Sequence, residues 1–306
     1  MINPGRNQLA LILDSEKPET VINEVQSIFF HSYKLESFEK IENAFNHICS
    51  LFNGKLKGYR ACNTEYHDLK HTLDAFLAAA RLIDGRNITS GIYNEDKAVS
   101  LLLAALLHDT GYIQEESDTD GTGAKYTSVH VKRSIEFTEK NAGLFQISPR
   151  ETAEISSFIA CTGIKSDYIA TLNNEDRIGG CILGTADLIG QMSDRAYLEK
   201  LLFLYYEFSE AGVEGFDTTF DILRKTLSFY ESTMDRLNIT LDKSYNLAGD
   251  HFKTRFGINE NLYMTAIEKQ MDYLKTIIDD ESTNFRNKLK RLNVEGIEER
   301  YKIHPH

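Results

Sequence analysis

The chain has 306 residues, enough for one large domain or two small ones. Its 46 acidic residues against 34 basic ones give a net charge of −12, which argues against a nucleic-acid polymer as main partner; a small phosphate substrate stays open, because a bound metal can dominate the local charge. The one apolar run near the N-terminus, Leu9 to Leu13, is too short for a signal-peptide core or a membrane span, and Cys49, Cys62, Cys161 and Cys181 show no CxxC and no close pairing, so reduced thiols in a cytoplasmic protein off the membrane are expected.

Four prolines suit long uninterrupted helices. Residues 1 to 18 read as an irregular arm. Helical spacing begins at Thr20 with Val21, Val25, Ile28 and Phe29. Ser37 then stands as an N-cap before Phe38, Ile41, Phe45, Ile48 and Phe52, which step 3, 4, 3, 4. Gly54 and Gly58 break that pattern. The segment YRACNTEYHDLKHT, residues 59–72, runs on into LDAFLAAARLI; on a helix, His67 and His71 share one face and two imidazoles can reach one centre. Such a pair is more often solvated or satisfied by carbonyls. Residues 85–93 read as a loop, after which Asn94 can cap a helix.

That next helix ends in LLLAALLHDTGY, residues 101–112. Its apolar run implies burial on every side. Adjacent His108 and Asp109 at its end present an imidazole and a carboxylate to the interior, and a buried carboxylate needs a partner: a metal ion, or ordinary hydrogen bonds. Residues 115–125, EESDTDGTGAK, read as a mobile surface loop beside that end. Thr127 or Ser128 opens a helix with His130 near its start. Ser148, Pro149 and Glu151 form a capping box for a helix that ends near Thr162 and Gly163. The helix over 176–192 sets Asp187 among Ile182, Leu183, Ala186, Leu188 and Ile189, again a carboxylate in apolar company. Packing stripes follow at Leu198–Phe208, Phe220–Leu237 and Ile267–Ile278. Residues 242–257 read as an irregular charged connection, and the charged tail after Asn284 as loosely held. With no strand-period run of note, the expected fold is all-α in one domain over 1–306: a core over about 59–195 and flanking helices over 19–53 and 196–292.

His67 and His71, His108 with Asp109, and Asp187 form a nitrogen and oxygen set suited to Mn, Mg, Zn, Fe or Co with open positions for water. Their order resembles the HD-domain metal-dependent phosphohydrolase superfamily. YHDLKHT looks like the YHNxxHA segment of its cyclic-nucleotide phosphodiesterase branch, and GTADLIGQM resembles the segment that supplies the last Asp ligand there. The resemblance implies a multi-helix bundle of that type. It implies one or two divalent ions, with His71, His108, Asp109 and Asp187 as ligands of the first. Asp109 would also face a water shared with a second ion, and His67 would be the proton donor to the leaving oxygen. His130 would line the second ion or the acid, and Tyr112, Thr162 and Gln191 would line the substrate. The departures are Tyr112 where the branch has a second histidine, Asp68 for Asn, Gly163 for the Asp after Thr162, and no GYP motif. The expected activity is metal-assisted hydrolysis of a cyclic nucleotide or related small phosphodiester. A nucleotide phosphomonoesterase on the same fold and an inactive nucleotide-sensing domain are the alternatives, and a homo-oligomer is left open.

Overall fold

A computed structural model describes residues 8–163, 167–280 and 284–303. All regular elements among the described residues are helical, with no strand and one isolated bridge between Tyr59 and Glu115. None of their helices is long and apolar enough to cross a membrane. The N-terminal elements are α1 (Leu9–Ile12), α2 (Pro18–Phe29) and α3 (Leu35–Phe52). The central elements are α4 (Leu69–Ser90), α5 (Glu95–Leu107), α6 (His130–Lys140), α7 (Pro149–Ala160), α8 (Asp167–Thr171) and α9 (Asn174–Met192). The C-terminal elements are α10 (Tyr197–Glu210), α11 (Thr219–Asp235), α12 (Asn246–Phe256), α13 (Leu262–Ile278) and α14 (Val294–Ile303).

The stripes pack as their spacing predicts. In α5 every residue from Ala98 to Leu107 is buried, and the helix is flanked by α3, α4, α7 and α9. Each leucine buried there contributes about 1.5–3 kcal/mol. Helix α4 lies between α2, α5, α9 and α12. The innermost group is therefore α4, α5 and α9. Asn94 caps α5 by accepting from the Lys97 amide, and the capping box of Ser148 with Glu151 opens α7 behind Pro149. The four cysteines are free.

Several boundaries differ from the sequence expectation, each for a visible reason. The arm contains the short α1, and α2 starts at Pro18, whose missing amide costs nothing at a first helical position. Ser37 sits inside the first turn of α3, not at its cap, and its hydroxyl donates to Glu95 Oε1 at 2.7 Å. Helix α4 runs through Gly85 to Ser90; a Cβ at Gly85 would lie 1.9 Å from the Leu247 carbonyl, so the missing side chain lets α12 approach. Residues 246–256, expected to be irregular, form that α12. The loop over 115–125 is strapped down: Arg60 Nη1 donates to Asp118 O (2.7 Å), Gln114 Nε2 to Asp120 O (2.9 Å), and the Thr122 amide to Glu210 (2.5 Å). The tail is tied by Arg286 to Glu298 (2.8 and 3.1 Å) and buries Leu289 and Val294.

Candidate metal centre

Three helices deliver the predicted donors to one point. Asp68 caps α4, accepting from the His71 amide at 2.8 Å, and Lys200 anchors that carboxylate at 3.0 and 3.1 Å. His71 therefore stands in the first turn of α4 with its ring turned inward, 2% exposed. His108 follows the last residue of α5, and Asp109 opens a 3₁₀ turn over Thr110–Tyr112. Asp187 lies on α9 with its side chain 20% exposed.

The nitrogen and oxygen atoms face one another closely. His71 Nε2 is 3.3 Å from His108 Nε2, 3.2 Å from Asp109 Oδ2 and 3.2 Å from Asp187 Oδ1. His108 Nε2 is 3.4 Å from Asp109 Oδ2 and 3.6 Å from Asp187 Oδ1. Ligands about 2.1 Å from one ion stand roughly 3.0–3.4 Å apart in octahedral or tetrahedral arrangements, so these edges match a donor set that could hold a divalent ion. His71, His108 and Asp187 form the tightest group, each donor within 4.8 Å of the others, with Asp109 beside both imidazoles. His108 Nδ1 donates to Ala105 O at 2.8 Å, which fixes the tautomer with its Nε2 lone pair inward. Asp109 Oδ2, though close to both imidazoles, meets the geometry of a hydrogen bond with neither, and it is buried. Its position suits a cation better than an N–H. His71 Nδ1 has no partner.

The electrostatics agree with this geometry. Burial pulls the His71 imidazolium down, but the carboxylates of Asp109 and Asp187 outweigh it and hold the group at about 9. His108 is held well above its ordinary value against the same burial by the same carboxylates. Asp109 and Asp187 are pushed below the usual carboxylate range, burial notwithstanding, by the two imidazoles. The two carboxylates favour positive charge at the imidazoles between them, and a divalent ion would supply positive charge at that same point, so the donor set fits such an ion.

A second layer lies over Asp109. The Tyr112 ring packs nearly parallel to both His67 (4.2 Å, 13°) and His130 (4.8 Å, 20°), whose own rings lie 6.3 Å apart. His130 donates from Nδ1 to Thr127 O at 2.6 Å and turns Nε2 to 4.0 Å from Asp109 Oδ1. Burial lowers the His130 imidazolium despite Asp109. Burial raises the Tyr112 hydroxyl, with Asp109 and Glu207 adding to it. His67 lies in the bend before α4, not on it, so the shared helix face expected from the i, i+4 spacing does not form. The two rings still approach to 6.1 Å. His67 Nδ1 contacts Glu207 Oε2 at 2.7 Å, and Glu207 Oε1 accepts the amides of Glu65 (3.0 Å) and Tyr66 (2.7 Å). His67 Nε2 is left 3.4 Å from the Tyr112 hydroxyl.

Of the remaining predicted residues, Gln191 stands one turn beyond Asp187 on α9 with its side-chain nitrogen buried and unpartnered. The Thr162 hydroxyl donates to Ile159 O at 2.8 Å, just past the end of α7. Sequence reading missed three supporting residues. Glu207 sits on α10, inside a stretch read only as packing. Ser134 and Arg133 of α6 strap the HDTGY turn: Ser134 Oγ accepts from the Gly111 amide (2.9 Å) and donates to His108 O (2.5 Å), and Arg133 Nε donates to Gly111 O (2.7 Å). The signal available was only that α6 follows the turn after a short loop.

Residues 115–242 match the model of a family described as Npun_R2479-like. That span contains His130, Asp187 and Glu207 and leaves out His67, His71, His108 and Asp109. No curated protein matches the chain.

Proposed function

We propose that the chain is a divalent-metal-dependent phosphohydrolase acting on a small phosphodiester, with a cyclic nucleotide as the reference substrate. The observation that carries this reading is the convergence of His71, His108, Asp109 and Asp187 from α4, α5 and α9, buried and at ligand-to-ligand spacing. The resemblance to HD-domain phosphohydrolases supports it from the sequence side. A divalent ion held there supplies water of pKa near about 7 and polarises a phosphoryl oxygen.

The protein's own groups then divide the work. Glu207 fixes the His67 ring and places the Nδ1 proton between them, so Nε2 is the atom that carries a transferable proton. Tyr112 holds the His67 ring flat by stacking and keeps its hydroxyl beside that nitrogen. His67 thus serves as general acid toward the leaving oxygen without being a ligand.

Leaving-group chemistry tests the division. A ribose alkoxide needs a proton, whereas p-nitrophenolate leaves as a stable anion. With Mn added, His67→Ala should keep its metal and most activity on bis-p-nitrophenyl phosphate, and lose roughly 10² or more on a natural phosphodiester. His71→Ala should lose metal and both activities together. Equal losses on both substrates in His67→Ala, with metal retained, would remove the acid role and favour a phosphomonoesterase or sensor. No hydrolysis of any phosphate ester by the Mn-loaded wild type would overturn the enzyme reading.

A further inference from the structure

A different face of α4 carries charge into the interior. Lys70, Asp74, Leu77 and Arg81 recur every three or four residues and so form one stripe. The stripe borders a cavity of about 220 Å³, closed by the segment 9–16, by the end of α9 at Asp194 and by Tyr263 of α13. None of the four donors of the metal centre lines it.

The charges around this cavity do not balance in its depth. Asp74 pairs with Lys70 at 2.6 Å, and Asp194 with Lys70 at 3.3 Å and Lys200 at 3.4 Å. Asp14 pairs with Lys17 at 2.9 Å at the rim, where Glu16 and Arg195 are both exposed. Arg81 is different. It is 1% exposed and no carboxylate among the described residues pairs with it. Its Nη1 donates to the Tyr263 hydroxyl at 3.0 Å, and the rings of Phe252 and Tyr263 lie 5.3 and 5.7 Å from the guanidinium. Nε and Nη2 are buried without a partner. A guanidinium with N–H groups unsatisfied in the interior is costly, and an anion is the partner that relieves the cost most.

We infer that this cavity binds a small anion, a carboxylate or a phosphate, through Arg81. Pockets that hold drug-sized ligands run to about 300–1,000 Å³, so the occupant is smaller than a nucleotide and distinct from the proposed substrate. Occupancy also has a route to the metal centre. The ion pairs Asp74–Lys70–Asp194–Lys200–Asp68 form a continuous ladder, and Asp68 caps the turn that carries His71. The inference does not depend on the proposed activity.

The chain contains no tryptophan, so Ala10→Trp places a single indole at the cavity rim. Chelator-treated Ala10→Trp protein is titrated separately with inorganic phosphate and with malonate, and the two arms tell phosphate from carboxylate. The expected result is a saturable fluorescence change with at least one anion, weakened by at least about tenfold when Arg81→Met is added and less by Arg81→Lys. No saturation with either anion, or an affinity unchanged by Arg81→Met, overturns the site. Should Arg81→Met fail to fold by circular dichroism, hydrogen exchange on the wild-type protein decides. Protection of residues 9–16 and 70–81 by the anion supports the site, and unchanged exchange there overturns it.

Discussion

Asp84 and Asp109 are both buried carboxylates, and the company each keeps decides what it can do. Asp84 is fully matched: it takes His251 Nδ1 at 2.7 Å, and Arg255 through Nε at 2.9 Å and Nη2 at 2.6 Å. Burial pushes its carboxyl up, but these bonds outweigh that and hold it below the usual range. A carboxyl with a folded value below its unfolded one stabilises the fold above the unfolded value of about 3.9, and loses that contribution as pH falls through the folded value. Asp84→Asn should therefore cost about 3 kcal/mol at neutral pH, the range for breaking a buried pair. The gap to wild type should narrow below about pH 4. Urea unfolding at both pH values checks this, and a gap independent of pH would show that shape rather than charge is what Asp84 contributes. Asp109, with an oxygen that no N–H satisfies, is poised for a cation instead. Sequence reading found Asp109 because His108 stands next to it. It passed over Asp84 and Glu207 because their partners are 167 and 140 residues away, a separation that no local pattern records.

At the scale of elements, apolar periodicity located most of the helices, and their ends followed local caps only where tertiary contacts did not intervene. Asn94 and Ser148 were legible as caps because a side chain three residues ahead of its amide partner is a local arrangement. Gly85 was read as a break because glycine is a poor helix former. Its reason for being in α4 lies in α12, which is far away in sequence. The same kind of contact shapes the HDTGY turn. A Cβ on Gly111 would lie 2.0 Å from His130 O and 2.9 Å from the Ser134 amide. Gly111→Ala should push the first turn of α6 outward and loosen both the Ser134 strap and the seat of His130. The expected cost is about 1–3 kcal/mol, typical of overpacking. Gly143→Ala, where a Cβ meets nothing within 4 Å, should stay within about 0.5 kcal/mol of wild type. The urea midpoints of the two variants give the comparison, and equal midpoints would mean that α6 docks loosely enough to yield.

Across the whole molecule, the donors tie α4, α5 and α9 at one point, and these helices are also the centre of the packing. An ion bound there would bridge segments more than a hundred residues apart and would be lost when any one of them unfolded. Its binding free energy should then appear as stability of the entire fold. At a free-ion concentration a hundred times the dissociation constant, the gain is about 2.7 kcal/mol. For a chain of 306 residues that raises the thermal midpoint by roughly 4 °C. Mn or Zn added to chelated protein should produce that rise, and chelator should reverse it. Asp187→Asn keeps the size of the side chain and removes one charged donor, so its midpoint should respond far less to either ion, and elemental analysis should find it depleted. His108→Ala should behave alike. A Mn- or Zn-dependent rise of equal size in wild type and both variants would place the ion elsewhere. Absence of any rise in wild type would leave the cluster as an internal ion-pair network whose charges are satisfied by one another.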